Sequence, residues 1–140
     1  MNNCPLCLIP QDIAQQYRVV KINDLVYSVI PKEPLVEGHV LVLPRRHVCM
    51  RDLTAEESLA LNMEIDALKE KLVDLYPTTP PFIAAMSDTK HASIPEHLHY
   101  HLVPFAVGLR TLIHGYDSHI PERRVAEHSE IERMASLLRE

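Results

Sequence analysis

Two hydrophobic rhythms divide the chain. Tyr17–Ile22 and Leu25–Ile30 are rich in β-branched and aromatic side chains and flank Asn23-Asp24, a two-residue turn signal, which predicts a β-hairpin. Pro31 to Gly38 reads as a loop, and His39–Leu43 (H-V-L-V-L) as a third strand closed by Pro44. The rhythm then changes. Thr54-x-x-Glu57 has the spacing of a capping box, and Leu59, Met63, Leu68, Leu72 and Leu75 recur at about helical spacing. This predicts a helix from about Ala55 to Tyr76, stopped by Pro77. Pro80-Pro81 opens a strand over Phe82–Met86, Ser87–Glu96 is a loop, and His97–Val103 is a further strand. Near the end, Ser129-x-x-Glu132 predicts the cap of a short helix running to Leu138. Strands gathered around one long helix imply an α+β fold: a mostly antiparallel five-stranded sheet, the long helix and a short C-terminal helix.

Composition narrows the class. The 140 residues suit one domain spanning 1–140, with a less patterned tail from about residue 105. A formal net charge of −5 argues against a nucleic-acid surface, which carries a basic excess. No apolar run approaches the roughly 20 residues of a membrane span. The start, Met1-Asn2-Asn3-Cys4-Pro5-Leu6-Cys7, lacks the basic and apolar regions of a signal peptide, so the expected compartment is the cytoplasm. With 11 prolines and 3 glycines, proline supplies most of the punctuation. Three cysteines, two of them in Cys4-x-x-Cys7, read in a reducing compartment as metal ligation or redox chemistry.

The segment His97-Leu98-His99-Tyr100-His101-Leu102-Val103-Pro104 carries the most chemistry. On a strand, residues two apart share a face, so His97, His99 and His101 form a row while Leu98, Tyr100 and Leu102 point into a core. Imidazole titrates near neutral pH and can serve as nucleophile, base or ligand. Three readings compete: a half-buried strand whose polar face happens to carry histidine, a three-histidine catalytic zinc site, and a nucleophilic row. A single flat strand splays its side chains too far apart for one tetrahedral ion, which disfavours the second.

His-φ-His-φ-His-φ-φ, with φ apolar, resembles the signature of the histidine triad family. Upstream, Pro34-Leu35-Val36-Glu37-Gly38-His39-Val40-Leu41-Val42-Leu43-Pro44-Arg45-Arg46-His47 is similar to that family's P-x-x-x-G-H-x-L-V-x-P-x-x-H block. The resemblance runs from Cys4 to Pro104. It implies that His99 attacks the α-phosphorus of a nucleotide to form a nucleotidyl-histidine intermediate, with His101 and His39 supporting the site by hydrogen bonding. The implied activity is that of a nucleotide hydrolase or nucleotidyltransferase. Dinucleoside polyphosphates and nucleoside phosphoramidates are its candidate substrates. The alternative is a zinc-structured nucleotide-binding module with little or no turnover. The resemblance also implies a homodimer, joined through sheet edges or through the long helix.

Cys4-x-x-Cys7 can aim two thiolates from one tight turn at one ion, and two more ligands are needed. An empty pair and a redox pair are the alternatives. Some histidine triad proteins, and the related galactose-1-phosphate uridylyltransferases, complete such a set from positions that correspond here to His47 and His97. The implied cofactor is structural zinc held by Cys4, Cys7, His47 and His97. Cys49, two residues from His47, is a substitute ligand candidate.

The chain departs from the family pattern at three places. Pro31 stands where many members carry Asp or Asn to bind the ribose hydroxyls. Ala92-Ser93-Ile94 replaces Gly-Gln-Ser/Thr, and Phe105 replaces Arg. These changes imply weak affinity for simple purine nucleotides. Ser87, Lys90, His91 and Ser93 are candidate donors on the phosphate side, since loops beside strand ends commonly carry such contacts.

Overall fold

A computed structural model of the protein describes residues 4–85, 94, 96–105 and 125–140. Five strands, β1 (Val19–Ile22), β2 (Val26–Val29), β3 (Val40–Pro44), β4 (Pro81–Ala85) and β5 (Tyr100–Pro104), form one sheet. Their order is β1-β2-β3-β5-β4, and every neighbouring pair is antiparallel. Among the described residues three α-helices accompany the sheet: α1 (Pro5–Leu8), α2 (Ala55–Leu75) and α3 (His128–Arg139). The architecture is the α+β fold that the patterning predicts.

The hairpin forms where expected. Asn23 folds its own side chain over the turn, its Oδ1 accepting from the Leu25 and Val26 N–H groups at 2.9 and 3.0 Å. Tyr17 and Arg18, however, belong to a 3-10 segment over Ile13–Arg18 and not to the strand. Asp12 caps that segment by accepting from the Ala14 N–H, and the Arg18 carbonyl at its end accepts from the Ile30 N–H at 3.0 Å. Strand β4 starts one residue earlier than predicted, and Met86 lies outside the described residues.

Both faces of the sheet are covered, which is why β2 and β3 are buried along their whole length. On one face Val26, Ile30, Val40, Val42, Leu98 and Leu102 pack against α2 and α3. On the other, Tyr27, Val29, Leu41 and Leu43 pack beneath the N-terminal segment through Cys4, Leu6 and Ile9. The Tyr27 hydroxyl donates to the Leu6 carbonyl and fixes that segment in place. Burial pushes the Tyr27 phenol well above its ordinary pKa, so it remains a donor.

Helix α2 begins as the capping box dictates: the Glu57 N–H donates to Thr54 Oγ1 at 3.0 Å and the Thr54 N–H to Glu57 Oε1 at 2.9 Å. Its core stripe differs from the predicted one. Leu61, Ile65, Leu68 and Leu72 face the sheet, whereas Leu59 and Met63 are 62% and 64% exposed and Leu75 is also exposed. Two apolar stripes share this helix. The one spaced i, i+4, i+7, i+11 lies on a single line down the cylinder and takes the core. Helix α3 starts at His128, ahead of the predicted cap. Glu127 and Glu130 form the box in place of Ser129 and Glu132, and the His128 ring stacks on Tyr17 at 3.7 Å between centroids.

The last strand starts late, at Tyr100 instead of His97, and the reason is Pro44. The Arg45 N–H points to β2, donating to the Leu25 carbonyl at 2.8 Å. The Pro44 nitrogen therefore faces β5, where it has no hydrogen to give. The β3–β5 ladder stops at Val42↔Tyr100, and the Leu98 N–H donates instead to the Val48 carbonyl at 2.9 Å.

Beyond its capping role, Glu57 accepts two hydrogen bonds from Arg46, at 2.8 and 3.0 Å, tying the chain after β3 to the start of α2. That guanidinium pulls the Glu57 carboxyl from an ordinary 4.5 down to about 2. Its contribution to stability is complete above pH 4.5 and lost as the pH falls to about 2. Glu57→Gln should cost about 1–3 kcal/mol at neutral pH. It should also flatten the fall in Tm between about pH 4.5 and 2. Thermal unfolding of both proteins across that range checks this, and parallel curves would contradict it.

Candidate active site and metal-ligand cluster

The histidines of the last strand do not stay in one row. His97 is fully buried and His99 is 4% exposed, while His101 is half-buried. The His97 ring turns to the N-terminal cysteines and His47. The His99 and His101 rings lie edge to face, 5.1 Å between centroids, and His101 meets His39 at 5.2 Å. Two groups result, one rich in sulfur and one made of three imidazoles.

In the imidazole group, backbone atoms set the tautomers. His99 Nδ1 lies 2.9 Å from the His97 carbonyl oxygen, which can only accept. Nδ1 therefore carries the hydrogen, and the Nε2 lone pair is available to attack. His39 is arranged in the opposite sense. The Leu35 N–H donates to its Nδ1 at 3.0 Å, so neutral His39 carries its hydrogen on Nε2. His39 Nε2 then donates to His101 Nδ1 at 2.9 Å, which leaves the His101 hydrogen on Nε2. His99 thus keeps its lone pair on Nε2, whereas neutral His39 and His101 carry hydrogen there.

The second group gathers Cys4, Cys7, His47 and His97, with one donor atom from each and all within 4.8 Å of one another. The Cys7 N–H donates to the Cys4 carbonyl at 3.2 Å, forming the tight turn that C-x-x-C spacing permits. His97 Nδ1 is 3.4 Å from Cys4 Sγ and 3.3 Å from Cys7 Sγ, and His47 Nδ1 is 3.4 Å from Cys7 Sγ. His97 Nε2 donates to the Pro44 carbonyl at 2.8 Å, so its Nδ1 lone pair faces the thiols. Burial, reinforced by repulsion from His47 and His99, holds His97 below its ordinary pKa despite that carbonyl. A neutral ring with an anchored far nitrogen suits a metal ligand. Cys49 is not part of this cluster; its Sγ lies 3.9 Å from the Glu96 carbonyl oxygen.

Sequence patterning did not find the backbone partners Leu35 N–H, His97 C=O and Pro44 C=O. Of these, only Pro44 left a readable trace, as a proline inside a strand between two neighbours. Ser87, Lys90, His91 and Ser93 lie outside the described residues. Pro31 is buried beyond the end of β2 and offers no acceptor side chain.

The model of the family described as "Protein similar to CwfJ C-terminal" matches residues 1–112. The chain belongs to this family, within the histidine triad superfamily. It is similar to the galactose-1-phosphate uridylyltransferase of Hypocrea jecorina, at 31% identity over 102 residues, 69% of this chain and 27% of that one. It is also similar to the bis(5'-adenosyl)-triphosphatase of Dictyostelium discoideum, at 29% identity over 94 residues, 66% of this chain and 62% of the other. The chain thus spans about a quarter of the first relative and less than two-thirds of the second. Among solved structures, a Zn-bound histidine triad family protein from Mycobacterium smegmatis has the same fold. Its TM-score is 0.69 at 21% identity, covering 97% of this chain and 93% of that one.

In this histidine triad chain the glycine before His39 is needed for its shape. Gly38 has φ +90°, and a Cβ there would lie 2.7 Å from the Tyr76 ring and 2.8 Å from Pro104. Gly38→Ala should cost about 1–3 kcal/mol. It should also displace the loop that supplies the Leu35 N–H to His39. Chemical denaturation measures the first effect, and the imidazole nitrogen signals of His39 report the second.

Proposed function

We propose that the protein is a nucleotide hydrolase or nucleotidyltransferase acting on phosphoanhydride or phosphoramidate bonds. The observation that carries this reading is the His99 Nδ1–H bond to the His97 carbonyl, which leaves Nε2 unprotonated beside the His39–His101 pair. His99 Nε2 attacks phosphorus, the bond to the leaving oxygen or nitrogen breaks, and the leaving group takes a proton from solvent, which the water attacking in the second step gives back. Water or another acceptor then attacks the nucleotidyl-histidine, releases the product and returns His99 to its starting state. His101 stabilises developing phosphoryl charge with its Nε2 hydrogen, and His39 orients His101. The uridylyltransferase and triphosphatase activities for which the two relatives are named support this substrate class. Pro31, in place of a ribose acceptor, favours the second reading, a zinc-structured nucleotide-binding module with little or no turnover. Trapping of a phosphorus adduct on His99 separates the two.

Cys4, Cys7, His47 and His97 would hold a structural zinc ion, whose chemistry here is to fasten the N-terminal segment to the residue preceding the nucleophile's strand. Two sulfurs and two nitrogens at this spacing, with His97 kept neutral, fit the demands of a closed tetrahedral site. These thiolates suit a reducing cytoplasm. The edge strand β4 and the exposed Leu59 and Met63 of α2 are the surfaces through which a homodimer would form.

Two measurements bear on these roles. Purified protein should carry about one zinc per chain, and Cys7→Ser should lose it and lower Tm, because binding a structural ion is also folding energy. Zinc-free protein prepared without chelator would contradict the assignment. His99→Ala should lower turnover at least about 10³-fold, and His101→Ala or His39→Ala about 10–100-fold. A chiral phosphorothioate substrate should react with retention at phosphorus, the result of two displacements. Inversion, or a His99→Ala enzyme keeping most of its rate, would overturn the covalent mechanism.

A further inference from the structure

Helix α3 belongs to the part of the chain beyond the two motifs, yet it grips the loop that carries His39. The N–H of Gly38 donates to Met134 Sδ at 3.2 Å in a buried contact. Arg133 pairs with Glu37, whose carboxylate also reaches Tyr76. Just ahead of the helix, the Ala126 N–H donates to the Lys32 carbonyl at 2.9 Å. The gripped loop folds back on itself: the His39 N–H donates to the Val36 carbonyl at 3.2 Å, and the Leu35 N–H to His39 Nδ1. Three contacts thus converge on Lys32, Glu37 and Gly38, bracketing the one backbone N–H that decides which nitrogen of His39 holds hydrogen.

We propose that α3 is a positioning element for the His39–His101 pair, acting through Met134 and Arg133 on the loop of residues 31–38. Met134 and Arg133 are positioning residues and touch no reacting atom. Met134 supplies the acceptor that a buried Gly38 N–H needs, since backbone donors away from water are almost always paired. Arg133, next to Met134, holds Glu37, the neighbour of Gly38. With the loop held, Leu35 keeps its N–H on His39 Nδ1, and the His39 hydrogen stays on Nε2, directed at His101. If the loop loosens, His39 can exchange to the other tautomer, and His101 loses its donor. The consequence for turnover rests on the catalytic reading above; the consequence for the tautomer does not.

The test uses the full chain with Met134→Leu, Arg133→Gln and the two combined. Leucine conserves the apolar volume of Met134 while removing the sulfur acceptor. Arg133 is exposed, so Arg133→Gln alone keeps the test interpretable should the buried substitution unfold the protein. Side-chain nitrogen-15 NMR reads the tautomers. Wild-type His39 should appear as the Nε2–H form, and the double variant should shift to a mixture, with Arg133→Gln shifting less and Arg133→Lys restoring the signal. On a turned-over substrate kcat should fall about three- to tenfold with KM little changed. Leu138→Ala is the control: it weakens α3 packing away from the loop and should lower Tm without moving the His39 signal. A folded double variant with His39 still purely Nε2–H would overturn the proposal. So would an equal shift in Leu138→Ala, which would reduce α3 to general stabilisation. A tautomer shift in a protein that never forms an adduct on His99 would support the positioning role while ending the catalytic reading.

Discussion

Pro44 presents a carbonyl to β5 with no N–H beside it, and both halves of the site depend on this asymmetry. An ordinary residue there would continue the ladder and pair the backbone before Tyr100. Without that donor the segment 97–99 leaves the sheet, and the His97 ring fills the place, giving its Nε2 hydrogen to the Pro44 carbonyl at 2.8 Å. One side chain is thereby fixed at one nitrogen, which settles what the other nitrogen can do. The same departure from the ladder gives the His97 carbonyl to a side chain, His99 Nδ1, instead of to a neighbouring strand. Ending a strand one pair early therefore fixes one ring nitrogen of His97 and one of His99.

The two sheet faces divide the labour that follows. The face under α2 and α3 holds the larger apolar cluster, built from Leu61, Ile65, Leu68, Leu72, Ile131, Met134 and Leu138 against Val40, Val42 and Leu102. Among the described residues the opposite face holds the smaller cluster, where the N-terminal segment lies over Tyr27, Leu41 and Leu43. Cys4 and Cys7 belong to that covering segment. A metal bound by them and by His47 and His97 would add a cross-link where apolar area is least, joining residues far apart in the chain. His101 opposes Leu41 in the sheet, so the imidazole group sits on this thinner face while its alignment depends on helices packed behind the sheet.

What could be read from the chain was local. Asn23-Asp24 makes its turn with its own side chain, Thr54 and Glu57 cap within four residues, and period-two alternation places Leu98 and Leu102 in the core. The errors arose where a partner distant in sequence decides the outcome. The stripe of α2 that is buried depends on where the sheet lies, so spacing alone points to Leu59 and Met63 where packing buries Leu61 and Ile65. Tyr17 looked like a strand residue, but it stacks on His128, more than a hundred positions away. The same limit applies within the site. The motif named His39, His99 and His101, and the fold places their rings side by side. Its tautomers come from carbonyls and amides, which every residue carries and no pattern marks.

That distinction explains how a chain can keep the motif while losing familiar contacts. Attack at phosphorus requires one lone pair, one donor to the phosphoryl group and a rigid line of hydrogen bonds behind them. In the proposed reaction these would come from three histidines and from backbone atoms of residues 35 and 97. A sugar hydroxyl would need a side-chain acceptor, and Pro31, just beyond β2, offers none. The two demands fall on different parts of the fold, the first on the β3–β5 junction and the second on the exit from β2. A substitution at the exit from β2 can therefore change what is bound without disturbing how His99 is held. The same separation assigns α3 its place: it acts on the loop between these two regions, through Gly38, where the chain is pinned between Tyr76 and Pro104 and has least freedom to compensate.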